Sequence, residues 1–253
     1  MSDYFIKDKW ATSILGINSY ISKKTEGFEI NKIQQFKNNL NQDAFITLKV
    51  NTKNINDILL LQKLGFLIVD TLIQYSLKPK YFYKNSQKII DKSNFFIKSA
   101  DINEKEKIAK VAYDEFKFSR FHLDPLIPNL LASKFKYEWV LNYFLGNRGH
   151  NLFVAKEKED GEILGFILLK DQINFNNDMS STGIDLLATV SKFNKKGVAS
   201  ALVAFSVDKY INFNKILVGT QAVNIPANNL YQRLGFRMEN STYIFHYHYK
   251  HGN

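Results

Sequence analysis

The chain has 253 residues, of which 45% are apolar, and it carries a formal net charge of +10. It contains no cysteine, which excludes disulfide bonds, zinc–thiolate sites and a thiol nucleophile. Its five histidines show no spacing typical of a metal site, and no apolar run approaches the ~20 residues of a membrane span. We therefore predict a cytoplasmic protein without a metal and without membrane association.

The positive charge has two interpretations. It is either a lysine-rich solvated surface or a sign of an anionic ligand. The sequence has no run of more than two adjacent basic residues and no basic–aromatic pattern typical of an RNA-binding strand. If the charge serves a ligand, a small phosphorylated molecule fits better than a nucleic acid.

The sequence contains an internal repeat. Residues 54–66 align without gaps on residues 224–236, an offset of 170 residues. Each copy predicts a strand, a helix, a turn and a second strand, because β-rich runs of strand length flank a helical segment. The predicted strands are 45–50 and 68–77 in the first copy, and 215–220 and 238–247 in the second.

The ends of the repeated helix carry the expected signals. Asn54 and Asn224 stand where a helix N-cap belongs, and Pro226 stands in the first turn. Gly65 and Gly235 follow the last helical residue, where a left-handed backbone favours glycine. Two such units predict two related α/β units in one chain.

The remaining elements predict the domain organisation. From residue 95 onward the order is strand, two helices, three strands, helix, strand, helix and strands, an α/β (α+β) unit around a mixed central sheet. Its helices are predicted at 101–118, 137–145 and 198–210, and its strands include 152–157, 163–171 and 183–190. We predict a partial, degenerate copy over residues 1–78, a linker over 79–94 and a complete unit over 95–253.

The segment 187–202 carries the strongest chemical signal. A strand ends, a short basic loop follows, and a helix begins at about Val198. Such a loop directs backbone N–H groups and the positive end of a helix dipole at one point. Gly197 allows a bulky anion to approach the backbone, and Lys195 and Lys196 add charge. Taken alone, the segment also fits an ordinary strand-to-helix turn.

A second segment follows about 25 residues later and contains Asn224, Ala227, Leu230, Tyr231, Gly235 and Phe236. The two segments together resemble the GCN5-related N-acetyltransferase (GNAT) family. That family has a Gln/Arg-x-x-Gly-x-Gly/Ala loop, then an Asn-x-x-Ala-x-x-Leu-Tyr-x-x-x-Gly-Phe segment. The second pattern is matched at every position, and the first departs at Asn194.

The resemblance implies acetyl-CoA as co-substrate and assigns residues to it. It implies that the coenzyme contacts Leu187, Ala188, Thr189, Asn194, Lys195, Lys196, Gly197, Val198, Ala199, Ser200, Asn224 and Asn229. Tyr231 resembles the tyrosine that protonates the departing thiolate. It could also be a core aromatic, but the aligned residue of the first copy is Leu61, so the fold needs no hydroxyl at that position.

A narrower resemblance concerns the acceptor. Landmarks outside the coenzyme motifs, such as Lys9-Trp10 and Phe118-Ser119-Arg120-Phe121, resemble bacterial enzymes that acetylate nucleotide-linked amino sugars of the TDP-4-amino-4,6-dideoxyhexose type, which serve polysaccharide biosynthesis. Arg120 is our preferred phosphate partner. Other cations lie in or beside the segments that roof the acceptor cleft in the family: Lys134, Lys136, Arg148 and His150. His122 and Asp124 are possible proton acceptors, beside a water chain to solvent.

Alternative functions stay open at the level of the sequence. One is acetylation of a protein N-terminus or lysine, against which the additional N-terminal unit argues mildly. Another is a non-catalytic acyl-CoA-binding module, which loss of Tyr231 or Gly197 would favour; both residues are present. A homodimer is compatible with the sequence.

Overall fold

The structure, a computed structural model, describes residues 4–149, 151–157, 161–174 and 179–252. The first half contains β1 (Phe5–Lys7), α1 (Lys9–Leu15), β2 (Asn18–Ser22), α2 (Ile30–Asn38), β3 (Ala44–Asn51), α3 (Ile55–Lys63), β4 (Leu67–Leu77) and α4 (Pro79–Asp91). The second half contains β5 (Phe96–Ser99), α5 (Lys105–Glu115), α6 (Arg120–Leu123), α7 (Asn129–Phe144), β6 (Asn151–Lys156), β7 (Ile163–Asn174), β8 (Met179–Thr189), α8 (Val198–Lys209), β9 (Lys215–Gln221), α9 (Ile225–Arg233) and β10 (Arg237–Tyr249).

These strands form one mixed sheet in the order β1-β2-β3-β10-β4-β9-β8-β7-β6-β5. The prediction of a mixed central sheet is confirmed. The sheet is continuous across both halves of the chain, because the last strand of each half lies between strands of the other half. Strand β4 of the first half pairs with β9, and β10 of the second half pairs with β3.

The exchange of β4 and β10 is symmetric. Leu72 is opposite Gln221 in one pairing, and Thr242 is opposite Asn51 in the other; the positions are related by the 170-residue offset of the repeat. Leu72 is also opposite Thr242 itself, where β4 and β10 run antiparallel. The two halves are therefore related by an approximate two-fold axis that passes near this pair.

The exchange also joins the cores of the two halves. Tyr75 of β4 is buried with Tyr231 and Phe236 of the second half. Its counterpart Phe245 on β10 is buried with Leu61 of the first half. Each half thus completes the other's core, and removing either strand would expose large apolar surface.

The repeat is longer in the structure than in the sequence alignment. Strand β2 runs parallel to β3, as β8 runs parallel to β9, and α2 follows β2 as α8 follows β8. Gly65 and Gly235 both have φ of 82°, as the prediction of a left-handed turn requires. The Asn224 side chain accepts a hydrogen bond from the Ala227 N–H, whereas Asn54 makes no such capping bond.

The stretch 79–94, which we predicted as a linker, is mostly helical. Residues 79–91 form α4, which begins at Pro79 and buries Phe82 in the core of the second half. Proline suits a first helical turn, and the Lys/Asn composition of this helix disguised its buried side. The division into domains at 78 and 95 stays a prediction. The turn of the predicted hairpin at 158–160 and His150 lie outside the described residues.

Helices cover both faces of the sheet. On one face α4, α8 and α9 pack on the central strands. On the other face α5 and α7 pack on β6, β7 and β8. Helices α1, α6 and the first turns of α7 extend this second layer over Phe45 of β3, so elements of both halves meet above the centre of the sheet.

We expect the fragment 95–253 not to fold alone, since β9 and β10 would lose the strand that lies between them. Circular dichroism and thermal unfolding should show a non-cooperative or aggregating species. Co-expression with the fragment 1–92 should restore a cooperative transition. A fragment 95–253 that melts cooperatively at the temperature of the whole chain would contradict the importance of the exchange.

Candidate active site

The strands β8 and β9 separate at the centre of the sheet. Their parallel pairing spans only residues 181–184 and 215–218. Beyond it, the stretch 186–189 pairs with β7 alone and keeps its backbone groups on the β9 side free. This stretch contains the residues predicted to contact the pantetheine: Leu187, Ala188 and Thr189.

Gly165 of β7, which the sequence did not single out, supports that stretch from behind. A Cβ at this position would lie 2.6 Å from the Ala188 carbonyl oxygen and 3.1 Å from Val198 Cγ1. Only glycine allows β7, the end of β8 and the start of α8 to approach this closely. A glycine inside a strand pattern was the available signal.

The loop after β8 ends in left-handed backbone at Lys195 (φ 63°) and Gly197 (φ 84°). The first backbone bond of α8 runs from the Ala201 N–H to the Gly197 carbonyl oxygen, at 2.9 Å. The four preceding N–H groups, those of residues 197–200, donate to no other group within the described part of the chain. Free N–H groups at a helix N-terminus form an anion cradle, so the geometry fits a pyrophosphate.

The side chains of the loop complete this cradle. Thr189 Oγ1 donates to Asn194 Oδ1 at 2.9 Å, which fixes the loop to the end of β8. Lys195 and Lys196 are exposed beside it. The predicted phosphate-binding residues are therefore contiguous at one end of the separation between β8 and β9: Asn194, Lys195, Lys196, Gly197, Val198, Ala199 and Ser200.

Tyr231 lies on α9, on the other side of β9. Its side chain is 4% exposed, with ring centroids 6.2 Å from Tyr75 and 5.5 Å from Phe236. Its hydroxyl has no hydrogen-bond partner among the described residues, and burial raises its pKa above the usual value of 10. The hydroxyl therefore stays protonated at neutral pH. Tyr231 is both a core aromatic and an uncommitted proton donor.

The start of α9 is fixed by Asn228, which sequence reasoning missed. Its Nδ2 donates to the carbonyl oxygens of Gln221, Ala222 and Asn224 at 2.9, 3.3 and 2.8 Å. Its Oδ1 accepts from the Tyr75 hydroxyl at 2.8 Å. The partner comes from β4, so only the tertiary structure reveals it. Asn229, predicted to contact the coenzyme, is exposed on α9.

Asp185 is a third residue that the sequence analysis did not single out. The pairing of β7 with β8 shifts by one residue here, and this bulge turns Asp185 toward α7. Its carboxylate accepts from Trp139 Nε1 and the Tyr143 hydroxyl, both at 2.8 Å, and from Arg148 at 2.7 and 3.2 Å. Burial alone would raise its pKa, but the Arg148 hydrogen bonds lower it. Asp185 is fully committed to structure.

The predicted proton acceptors are both in polar networks. His122 lies between Ser119 Oγ (2.6 Å) and Ser133 Oγ (3.3 Å), and burial together with the charge of Lys136 lowers its pKa to about 4. Asp124, 2% exposed, lies 2.6 Å from His246 Nδ1 and 2.8 Å from His248 Nε2. These contacts outweigh burial and lower the pKa of Asp124.

The group Asp124, His246 and His248 is close enough to be considered for a metal ion. The two nitrogens lie at hydrogen-bond distance from the same carboxylate oxygen, and the Asp124 Oδ1 accepts from the Leu126 N–H at 2.9 Å. These contacts account for the cluster as a structural tie between the α6–α7 loop and β10. That the protein uses no metal stays a prediction.

Asp70 is a buried carboxylate on the strand of the first half that pairs with β9 and β10. Its side chain is 6% exposed and close to the Gln221 side chain at the end of β9. Burial raises its pKa to about 6, against the pull of Gln221, Arg120 and Lys136. The Asp70 carboxylate therefore lies beside the end of β9 that is separated from β8. It comes from the first half of the chain, since β4 belongs to that half.

The equivalent cradle of the first half is closed by its own chain. The loop between β2 and α2 donates through the Gly27 and Phe28 N–H groups to the Asp57 carboxylate, at 2.9 and 3.0 Å. The Glu29 N–H donates to the Tyr4 hydroxyl at 2.8 Å. A side chain thus takes the position that an anion would occupy in the second half.

Residues 113–236 match the Acetyltransferase (GNAT) family, a span that runs from the end of α5 to the turn after α9 and includes both motifs. This part of the chain is similar to that family, and the protein is an acyl-CoA-dependent acetyltransferase. Enzymes of the family use acetyl-CoA as co-substrate.

One relative is the spore coat polysaccharide biosynthesis protein SpsD of Bacillus subtilis, 25% identical over 212 residues that cover 82% of this chain and 68% of the relative. A conserved protein of unknown function from Staphylococcus epidermidis has the same fold, with a TM-score of 0.63, 16% identity and coverage of 97% and 91%. A tandem GNAT protein from the clavulanic acid biosynthesis pathway also has this fold, with a TM-score of 0.60, 7% identity and coverage of 92% of this chain and 76% of that protein. Among the described helices, none is long and apolar enough to cross a membrane.

Asp70 should make stability depend on pH. Its folded pKa of about 6 lies above the ordinary 3.8, so its contribution to stability is present below pH 4 and is lost as the pH rises to 6. Asp70→Asn removes this loss. The free energy of unfolding of the variant, relative to the original protein, should rise by about 2 kcal/mol between pH 4 and pH 7. Urea unfolding across this range tests it, and a constant difference would contradict it.

Proposed function

We propose that the protein transfers an acetyl group from acetyl-CoA to the amine of a nucleotide-linked amino sugar, of the TDP-4-amino-4,6-dideoxyhexose type, in polysaccharide biosynthesis. The observation that carries the sugar assignment is the match to SpsD over most of the chain. The region where elements of both halves meet above the sheet supports this assignment, because that region carries the charged side chains that a phosphorylated acceptor needs.

The proposed coenzyme site uses the geometry of β8, β9 and α8. The free N–H groups of residues 197–200 bind the pyrophosphate, with Lys195 and Lys196 beside it. The free backbone edge of residues 186–189 holds the pantetheine and donates to the thioester carbonyl. Bound acetyl-CoA supplies the acetyl thioester that the amine attacks. N–H groups at that edge stabilise the negative charge that develops on the carbonyl oxygen.

Tyr231 acts as the general acid in this proposal. The amine nitrogen forms a bond to the carbonyl carbon, the carbon–sulfur bond breaks, and the Tyr231 hydroxyl gives its proton to the sulfur. The nitrogen loses one proton to solvent as the amide forms, and a proton from solvent restores the Tyr231 hydroxyl. The hydroxyl is free of competing hydrogen bonds, and its raised pKa keeps the proton in place until a thiolate develops.

The first half binds no coenzyme in this proposal. Its loop amides are already bonded to Asp57 and Tyr4, and Leu61 stands in place of Tyr231. Calorimetry should therefore give one acetyl-CoA per chain. No binding at millimolar acetyl-CoA would remove the coenzyme part of the proposal.

Gly197→Glu should weaken acetyl-CoA binding at least tenfold, about 1.4 kcal/mol, because the new carboxylate repels the pyrophosphate. Gly197→Ala is the matched control, since it shares the cost of a positive φ without the charge. Calorimetry on both variants separates the two effects. Equal losses would show that the backbone, and not the phosphate contact, was disturbed.

Tyr231→Phe should lower kcat roughly 100-fold, because it removes the proton donor and leaves the buried ring in place. Affinity for acetyl-CoA and the melting temperature should barely change. Steady-state kinetics with a panel of TDP- and UDP-amino sugars provides the measurement and also identifies the acceptor. A fully active variant would show that the thiolate is protonated from another source, and a panel without any turnover would refute the sugar assignment.

A further inference from the structure

Lys136 is a buried cation without a partner. Its side chain is 8% exposed, and its ammonium makes no hydrogen bond or ion pair among the described residues. The Lys136 Nζ lies 4.7 Å from the centroid of the Phe116 ring and 4.5 Å from that of the Trp139 ring. Burying an ammonium without a carboxylate costs free energy, so the position needs another explanation than stability.

Arg120 is fixed in the same region. The neighbours of the two cations, Phe121 and Phe135, stack face to face with centroids 3.7 Å apart. This contact holds α6 against α7. Because Arg120 precedes Phe121 and Lys136 follows Phe135, the two cations lie in the same region. The guanidinium of Arg120 lies over Phe121 and forms no hydrogen bond or ion pair with the rest of the described chain.

Lys49 reaches this region from the first half of the chain. On the sheet, Lys49 of β3 is opposite Ile244 of β10, which is in turn opposite Asp70 of β4. The three residues form one row across adjacent strands, so their side chains share a face. Phe45, on the same face of β3, packs under α6 and α7, and the Lys49 side chain is exposed.

The cluster carries more positive than negative charge. Burial and mutual repulsion lower the pKa of Lys136, to about 7, and also lower the pKa values of Lys49 and Arg120. Asp185 does not balance these charges because it is already bonded to Arg148. The carboxylates left for the three cations among the residues described are Asp70 and Asp8, and Asp8 already accepts the Ala11 N–H at the start of α1.

We propose that Lys49, Arg120 and Lys136 form a binding site for a diphosphate group, assembled from both halves of the chain. The proposal rests on the proposed function, since it states where the phosphates of the acceptor bind. Two phosphates supply the negative charge that the cluster lacks, and a guanidinium with two ammonium groups provides the charge-assisted hydrogen bonds that phosphate oxygens favour. The first half then has a role in substrate binding even though its own coenzyme cradle is closed.

The test uses inorganic pyrophosphate and thymidine diphosphate as probes, titrated calorimetrically into the whole protein saturated with coenzyme A. Both probes should bind. Since coenzyme A already occupies the N–H groups at the start of α8, this binding reports a separate site. Lys136→Met and Lys49→Met should each weaken the binding of both probes about tenfold or more, while affinity for coenzyme A stays the same. Lys136→Met should also raise the melting temperature, since it removes a buried unpaired charge.

Lys134→Met is the matched control. Lys134 lies two residues before Lys136 on α7 and is exposed, near Glu106 and Tyr113. Its substitution by methionine also removes one lysine from the chain. It should leave both probes unaffected. Equal weakening by the Lys134 and Lys136 variants, competition between pyrophosphate and coenzyme A, or no binding of either probe would each overturn the proposal.

The outcomes also separate this inference from the proposed function. Diphosphate binding that depends on Lys49 and Lys136 supports the site even if no amino sugar of the panel is acetylated. Acetylation of a TDP-amino sugar that is indifferent to both substitutions overturns the site and leaves the proposed function standing.

Discussion

The structure depends on the placement of β4 between β9 and β10. This strand belongs to the first half of the chain, yet its Tyr75 completes the core beneath Tyr231 and hydrogen-bonds to Asn228. Strand β10 makes the reciprocal contribution through Phe245. Because each half supplies a central strand to the other, the position of helix α9 and the stability of the first half are coupled. The exchange explains why a copy without a functional cradle persists as part of one sheet.

The two halves have diverged around the same scaffold. In the second half, the N-terminus of α8 presents free N–H groups beside a left-handed glycine, which suits an anion. In the first half, Asp57 provides an internal carboxylate to the corresponding loop. An internal carboxylate satisfies these donors without a ligand, so it stabilises the fold and blocks the site at once. The first half instead carries Lys49 and Asp70 on strands β3 and β4, which pair with strands of the second half.

Three buried aspartates have different pKa values because their surroundings differ. Asp185 accepts four hydrogen bonds and stays ionised as the anchor of Arg148. Asp124 is similarly ionised between two histidines. Asp70 lacks a direct ion pair, and burial raises its pKa to about 6. The first two orient the roof of the cleft, while Asp70 alone among these three can exchange a proton near neutral pH.

The sequence by itself determined the local elements and the coenzyme motifs. The strand–loop–helix at 187–202, the left-handed turn at Gly235 and the placement of Tyr231 on its helix follow from short-range constraints: backbone freedom at glycine, helix capping and apolar periodicity. The tertiary structure alone decided the strand exchange, the helical nature of 79–91, the Asn228–Tyr75 bond and the meeting of Lys49, Arg120 and Lys136. These features join residues that are distant in the chain: the Asn228–Tyr75 bond spans 153 positions, and the β3–β10 pairing joins positions as distant as Ala44 and Tyr249. A strand carries no local mark of which neighbour it will pair with, and a lysine none of whether it will be buried, so such contacts arise only when the sheet closes.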